Sequence, residues 1–157
     1  MKEIKFDSGI EELMVNGRGP MRFNPSDPNL YGRFFDAMDT LQAIEKEYNQ
    51  QVEALDNANT DDKGFSKSGK MLNLMKRYDQ QMKTVLAEVF GQDNDFDYLL
   101  NGINIMAYGS NGERIITNFL NALMPIIQAG TDKHRADAAA EAVVQAKQRR
   151  AQREVQK

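Results

Sequence analysis

The sequence predicts a mainly α protein with a small N-terminal antiparallel β-meander, an α+β arrangement dominated by helices. Two patterns predict this fold. Apolar and polar residues alternate over the first two dozen residues, and apolar residues then recur every three or four positions. A length of 157 residues favours one domain. We therefore expect a single globular domain over residues 1–131, comprising the meander (1–24), a long helical hairpin (27–90) and apolar helices (93–130), followed by a basic, Ala/Gln-rich helical or flexible tail (132–157).

The alternation at the N-terminus predicts three short strands. Their apolar positions are, in order, Ile4 and Phe6, Leu13 and Val15, and Met21 and Phe23. Turn-forming residues at Ser8-Gly9 and over 16–20 separate the strands. A sheet of this size is marginal by itself, so we expect its apolar face to pack on helices.

A long helix is predicted next. It begins at Pro28, which suits a first helical turn, with Ser26 or Asp27 as its cap. Its apolar stripe continues to Leu55, a length of roughly 40 Å at 1.5 Å per residue. Such a helix exceeds the size of a small domain, so we expect part of it to pack on a neighbouring helix or another subunit. The polar residues 56–68 are predicted to form a loop.

A second amphipathic stripe follows that loop. It covers residues 71–90 and ends at Gly91, a residue typical of the position after a helix. Two amphipathic helices joined by a short polar loop indicate an antiparallel hairpin.

The rest of the chain predicts further helices. Residues 93–100 form a short helix with carboxylates in its first turn, and residues 115–127 are the most apolar segment. We expect Pro125 to kink this segment and Gly130 to end it. From Asp132 onward, strong helix formers with few large apolar side chains predict an exposed or frayed helix, unless a partner covers it.

Composition narrows the possible functions. The chain has no Cys, which excludes a disulfide framework, a thiolate zinc site and a cysteine nucleophile. No apolar run reaches the roughly 18–20 residues that cross a bilayer, and the charged N-terminus does not have the pattern of a signal peptide. We therefore expect no membrane association and a cytoplasmic location.

The net charge of −3 is unevenly distributed. Residues 133–157 hold seven Lys or Arg against three Asp or Glu, a net charge of +4, which leaves −7 for the remainder. Basic residues over 147–153, including Arg149 and Arg150, could contact phosphates. Since this stretch has no aromatic residue to stack on bases, we favour a solvated or protein-docking helix over a nucleic-acid contact.

Residues 64–71 nearly match the phosphate-binding loop G-x-x-x-x-G-K-[ST]. Met71 occupies the position where Ser or Thr would ligate Mg²⁺, and the polar residues 57–63 are unlike the buried strand that precedes such a loop. We interpret the segment as an interhelical loop without nucleotide.

Other potential sites lack the partners that their chemistry needs. The spacing of Asp93, Asp95 and Asp97 is typical of a calcium loop, but Tyr98 and Asn104 replace its required Gly and Glu. The remaining isolated candidates are His134, Ser110 and the carboxylate pairs Glu11/Glu12 and Asp61/Asp62. We expect no catalytic residue, no cofactor and no metal site, and hence no enzymatic activity.

Several short segments together resemble a family of small proteins from tailed phages and prophages of Gram-positive bacteria, the tail assembly chaperones. The similar segments are Phe6-Asp7-Ser8-Gly9, Val15-Asn16-Gly17, Phe23-Asn24-Pro25-Ser26-Asp27-Pro28, Phe34-Phe35-Asp36-Ala37, Val89-Phe90-Gly91 and Leu99-Leu100-Asn101-Gly102-Ile103-Asn104. The resemblance covers about residues 4–128, and the basic tail is less typical of the family.

The resemblance implies a non-enzymatic protein of the host cytoplasm that self-associates. Its partners would be the tape measure protein, which it coats during tail assembly, and the major tail protein, whose subunits displace it. A longer frameshifted product is also implied. Two alternatives stay open: a structural tail or connector component of the virion, and a nucleic-acid-binding regulator using the basic tail.

We expect the partner-binding residues to lie on the helical stripes and in the basic tail. They are Phe34, Met38, Leu41, Met71, Met75, Tyr78, Met82, Arg149 and Arg150. Nine Met residues and no Trp suit either ordinary core filling or an adaptable binding face.

Overall fold

The computed structural model describes residues 1–58 and 64–156 of the chain. Its elements are β1 (Glu11–Met14), β2 (Pro20–Phe23), α1 (Pro28–Asn57), α2 (Gly64–Phe90), α3 (Phe96–Leu99) and α4 (Ile115–Val155). The predicted class, mainly α with a small N-terminal antiparallel sheet, is confirmed.

The strands β1 and β2 form an antiparallel hairpin with Leu13 opposite Met21. Asn16 and Gly17 connect the strands with positive φ angles of 46° and 72°, which Asn and Gly tolerate better than other residues. Met21 and Phe23 are buried on one face of β2. The other face, with Pro20 and Arg22, is exposed.

The first strand of the predicted meander does not form. Residues 1–10, which we call the N-terminal arm, have no regular secondary structure and are exposed. Ser8 and Gly9 do not make a hairpin turn: the Ser8 carbonyl accepts a hydrogen bond from Asn24 Nδ2 (3.0 Å), and the Gly9 N–H donates to the Asp7 carboxylate (2.9 Å). Asn24 follows β2 directly, so the chain before β1 continues beside β2 instead of folding back along β1.

The predicted helical hairpin is confirmed. Asp27 accepts a hydrogen bond from the Asn29 N–H and caps α1, and Pro28 occupies its first turn. The two helices are antiparallel, because residues from the start of α1 contact the end of α2 and the reverse. The pairs that show this are Phe34 with Phe90, Tyr48 with Tyr78, and Asp56 with Lys67.

The prediction of a loop over residues 56–68 is wrong at both ends. Helix α1 continues to Asn57 and α2 begins at Gly64. Lys67 contacts both the carbonyl (3.3 Å) and the carboxylate (3.8 Å) of Asp56, so polar side chains here connect the helix ends. Polarity alone does not exclude a helix, since a solvent-exposed helix end needs no apolar stripe.

The short helix α3 forms as predicted, although it begins at Phe96. Asp95 caps it by accepting a hydrogen bond from the Tyr98 N–H (3.2 Å). Asn101 and Gly102 follow α3 with positive φ, as expected of the residues that end a helix.

The prediction that Gly130 ends a helix is wrong, because α4 runs without a break over 41 residues, about 60 Å. It also passes through Pro125, an exposed position where water can replace the lost backbone hydrogen bond. Gly130 is buried, and a Cβ atom there would overlap the carbonyl group of Pro25. The glycine allows close packing of backbone on backbone rather than helix termination.

Replacing Gly130 with Ala should destabilise the protein by about 1–3 kcal/mol, because neither backbone can move away cheaply. The matched control is Gly69→Ala in α2, where nothing lies near the new methyl group. The control should stabilise by about 0.5–1 kcal/mol through helix propensity. Urea unfolding measures both values. Equal effects of the two substitutions would contradict the close approach of α4 to Pro25.

Candidate protein-binding surfaces

Four of the predicted partner-binding residues are core residues. Phe34 and Leu41 of α1, with Tyr78 and Met82 of α2, are at most 4% exposed. The expectation that a partner covers these side chains is therefore wrong for the folded chain, because α1 and α2 cover each other's stripes. The stripes predicted the hairpin correctly, but most of their apolar surface is buried between its two helices.

The three other methionines of the predicted set remain partly accessible. Met38, Met71 and Met75 are half-buried and pack against the edge of the core. Met38 also lines a groove of 180 Å³ between α1 and α4, together with Leu120. Each of these residues presents partly accessible apolar surface on the body of the protein.

The second half of α4 leaves the body of the protein. All residues from Asp132 to Gln156 are exposed, and we call this segment the projecting helix. Arg149 and Arg150 lie on it, as predicted for an exposed basic helix. Val143 and Val144 are more than half exposed although they are apolar. An apolar strip is thus presented to solvent in the middle of this helix.

A cleft separates β1 from α4, and we call it the hairpin cleft. Its volume is 340 Å³ and its lining is mainly apolar. Leu13, Met14 and Val15 form one wall, and Phe119, Ala122 and Ile126 form much of the other. Met14 is 66% exposed at its rim. The cleft contains no titratable side chain, so it offers shape and apolar surface rather than acid–base chemistry.

Asn94 covers the outer edge of β2. Its side-chain oxygen accepts a hydrogen bond from the Arg22 N–H (2.8 Å), and its amide nitrogen donates to the carbonyls of Arg22 (2.9 Å) and Phe90 (2.9 Å). The side chain thereby satisfies the outward-facing backbone groups of Arg22, as a neighbouring strand would, and connects the sheet to the end of α2. The outer edge of β1 has no such cover in the described part of the chain, where the sheet has two strands.

The main cluster of buried charges has a structural role, because its groups bond to one another and to the backbone. Lys83 donates to Asp79 (3.0 Å), Asp97 (2.7 Å) and the carbonyl of Ile103 (2.9 Å), which are the three hydrogen bonds that an ammonium group can make. Asp79 also accepts from the Ile105 N–H (2.7 Å). The cluster therefore attaches α3 and the segment after it to α2. Sequence analysis did not identify it, although an Asp–Lys pair at i, i+4 within an apolar stripe was a usable signal.

Arg114 was also missed and has a similar role. Its guanidinium donates to the Met106 carbonyl (2.7 Å), forms an ion pair with Glu45 (3.1 Å) and packs over the Tyr108 ring. The segment before α4 is thus attached to α1. No pattern in the sequence indicated this pairing, because the partners are separated by more than sixty residues.

Tyr78 is a buried titratable group in the hairpin core. Burial raises the pKa of its phenol above the ordinary value. The neighbouring Glu47 carboxylate raises the pKa further, and Arg77 opposes the shift. The phenol consequently stays protonated near neutral pH.

The residues that resemble known sequence motifs either have structural roles or are exposed. Residues 64–70 begin α2, so their backbone is helical rather than looped around a phosphate. Asp95 caps α3 and Asp97 binds Lys83, while His134 and Ser110 are exposed. Asp61 and Asp62 lie outside the described residues. Within residues 1–58 and 64–156, no three His or carboxylate side chains are placed to hold a metal ion.

Comparisons with protein families, curated proteins and solved structures found no match to this chain. No helix in the part of the chain that the structure describes is both long and apolar enough to cross a membrane.

Replacing Lys83 with Met should destabilise the protein by about 3–5 kcal/mol, because Asp79 would keep a buried charge without its cation. The control is Lys76→Met, an exposed position on the same helix that should change stability by less than about 0.5 kcal/mol. Urea unfolding followed by circular dichroism distinguishes them. A Lys83→Met variant as stable as the control would show that the cluster does not hold α3 in place.

Proposed function

We propose that this protein is a non-enzymatic phage tail assembly chaperone that binds the tape measure protein, tail tube subunits or both in the host cytoplasm. The resemblance over residues 4–128 supports the choice of family. The observation that carries the proposal is the projecting helix, which presents exposed apolar and basic side chains.

An uncovered helix of this kind suits a protein-binding role for an energetic reason. Most helical stability in proteins comes from the packing of an amphipathic face rather than from helix propensity. The Ala, Gln, Glu, Lys and Arg residues of the projecting helix supply propensity but little packing. A partner helix laid along Val143 and Val144 would supply the missing packing, as in other helix-to-helix recognition.

The basic residues of the projecting helix also support a partner-binding role for this helix. Arg150 follows Val143 by about two helical turns, so it lies on the same side of the helix as that valine. Arg side chains are enriched at protein interfaces because they combine apolar stems with several hydrogen-bond donors. The half-buried Met38, Met71 and Met75 are further adaptable contact points on the body.

Affinity purification with the tape measure protein from the same genome tests the proposal. The wild-type chain should retain it, and Val143→Glu/Val144→Glu should reduce retention by about ten-fold or more, because charges enter the apolar strip. The matched control is Gln145→Glu/Gln152→Glu, which adds the same charge on the opposite side of the helix and should bind normally. Equal retention of both variants, or no retention of the wild type, would refute the proposed contact.

Mass spectrometry of purified virions separates a chaperone from a structural tail component. A chaperone leaves as the tube polymerises, so the chain should be absent from finished particles but present in assembling lysates. Stoichiometric amounts in the virion would instead favour a connector or completion protein.

A further inference from the structure

We infer that the N-terminal arm of one copy of this chain adds a strand to the free edge of β1 in a second copy and fills its hairpin cleft with Ile4 and Phe6. This inference concerns self-assembly and does not rest on the proposed tape-measure partner. Three features support it: an uncovered strand-like arm, an uncovered apolar cleft beside a free strand edge, and an anchor that holds the base of the arm at the end of β2.

The arm has the pattern of a strand that lacks its sheet. Ile4 and Phe6 are 87% and 80% exposed and lie on the same side of an extended chain. Glu3 and Lys5 lie on the other side, where they form an ion pair (3.4 Å). One face of the arm is thus apolar and the other is solvated, as in a strand that covers a core on one face.

The edge of β1 presents backbone groups for such a strand. Arg22 directs its N–H and carbonyl to Asn94, away from β1. Its antiparallel partner Glu12 must then direct its own N–H and carbonyl away from β2, because residues in a non-hydrogen-bonded pair both point outward. The free edge therefore offers a donor and an acceptor at Glu12.

The hairpin cleft lies on the side of β1 where the apolar face of an added strand would point. Leu13 lines it, on the face of the sheet shared with the buried Met21. A cavity of about 150 Å³ accommodates a benzene ring. The cleft volume of 340 Å³ is therefore sufficient for both Ile4 and Phe6.

The geometry favours exchange between copies over folding back within one chain. The hydrogen bond from Asn24 to the Ser8 carbonyl holds the base of the arm beside the end of β2. Gly9 adopts a positive φ of 69°, and a Cβ atom there would overlap the Asn24 amide. The arm makes no third strand along the β1 edge of its own chain in the described structure, and none of its residues lines the hairpin cleft.

Charge complementarity favours the arm as the occupant. Residues 1–6 of the arm carry Lys2 and Lys5 against Glu3, whereas the free strand carries Glu11 and Glu12. The ion pairs Lys5–Glu3 and Arg22–Glu12 are exposed, so they can rearrange when strands pair. Opposite charges on neighbouring strands stabilise pairing and like charges oppose it. The chain therefore contains both halves of a matched interface.

Sedimentation velocity of the full-length chain tests the exchange. The wild type should sediment as a dimer or larger species, as multiples of 17.8 kDa. Phe6→Asp should yield monomers because it removes the apolar contact of the arm. Ala122→Arg should do the same from the other side, since Ala122 is an exposed residue in the wall of the cleft. Phe35→Asp is the matched control, an exposed aromatic residue of α1 outside the cleft, and should keep the wild-type size.

Mixing the two monomeric variants distinguishes exchange from a general loss of association. Phe6→Asp retains an intact cleft and Ala122→Arg retains an intact arm, so an equimolar mixture should form dimers with one working contact. Circular dichroism checks that both variants remain folded. The inference is overturned by a monomeric wild type at about 100 μM, by a Phe6→Asp variant of wild-type size, or by a mixture of folded variants that stays monomeric.

Discussion

The mutual burial of α1 and α2 is the constraint on which the rest of the structure depends. Residues such as Phe34, Tyr48, Tyr78 and Met82 are covered by the opposite helix, and the sheet, α3 and the first half of α4 pack around this hairpin. Because the two strongest apolar stripes are used inside the fold, they leave little surface for partners. Among the apolar groups that remain uncovered are those of the N-terminal arm and of the projecting helix.

A few buried polar groups determine which sheet edge is covered and which connecting segments are attached to the helices. Asn94 satisfies the outer edge of β2, and Lys83 attaches α3 and the following segment to α2. Each such group would be costly if left unpaired, so their hydrogen bonds define one arrangement of the connecting segments. The outer edge of β1, in contrast, has no such partner in the described part of the chain. The same molecule satisfies one sheet edge with a side chain and leaves the other available.

Local patterns predicted most of the fold but little of the candidate surfaces. The cap of α1 and the stripe that ends at Gly91 depend on neighbours in sequence, and the structure has Asp27, one of the two expected residues, as the cap and α2 ending at Phe90. Gly130 and the first strand were wrong because long-range contacts decide them: Pro25 requires the glycine, and Asn24 redirects the arm. Periodicity identified the apolar stripes but could not tell a stripe covered by the same chain from one left for a partner.

The two uncovered elements leave the body at adjacent residues. Asn24 holds the base of the arm through Ser8, and Pro25 packs on Gly130, just before the projecting helix begins. Pro25 is itself fixed, since its carbonyl accepts a hydrogen bond from the Tyr31 hydroxyl (2.9 Å). The base of the arm and the helix at Gly130 are therefore both held by the short connection between β2 and α1. In the arrangement that we propose, a contact made by the arm with a second copy acts close to the root of the helix that we assign to the partner, so self-assembly and partner binding would be coupled through this connection.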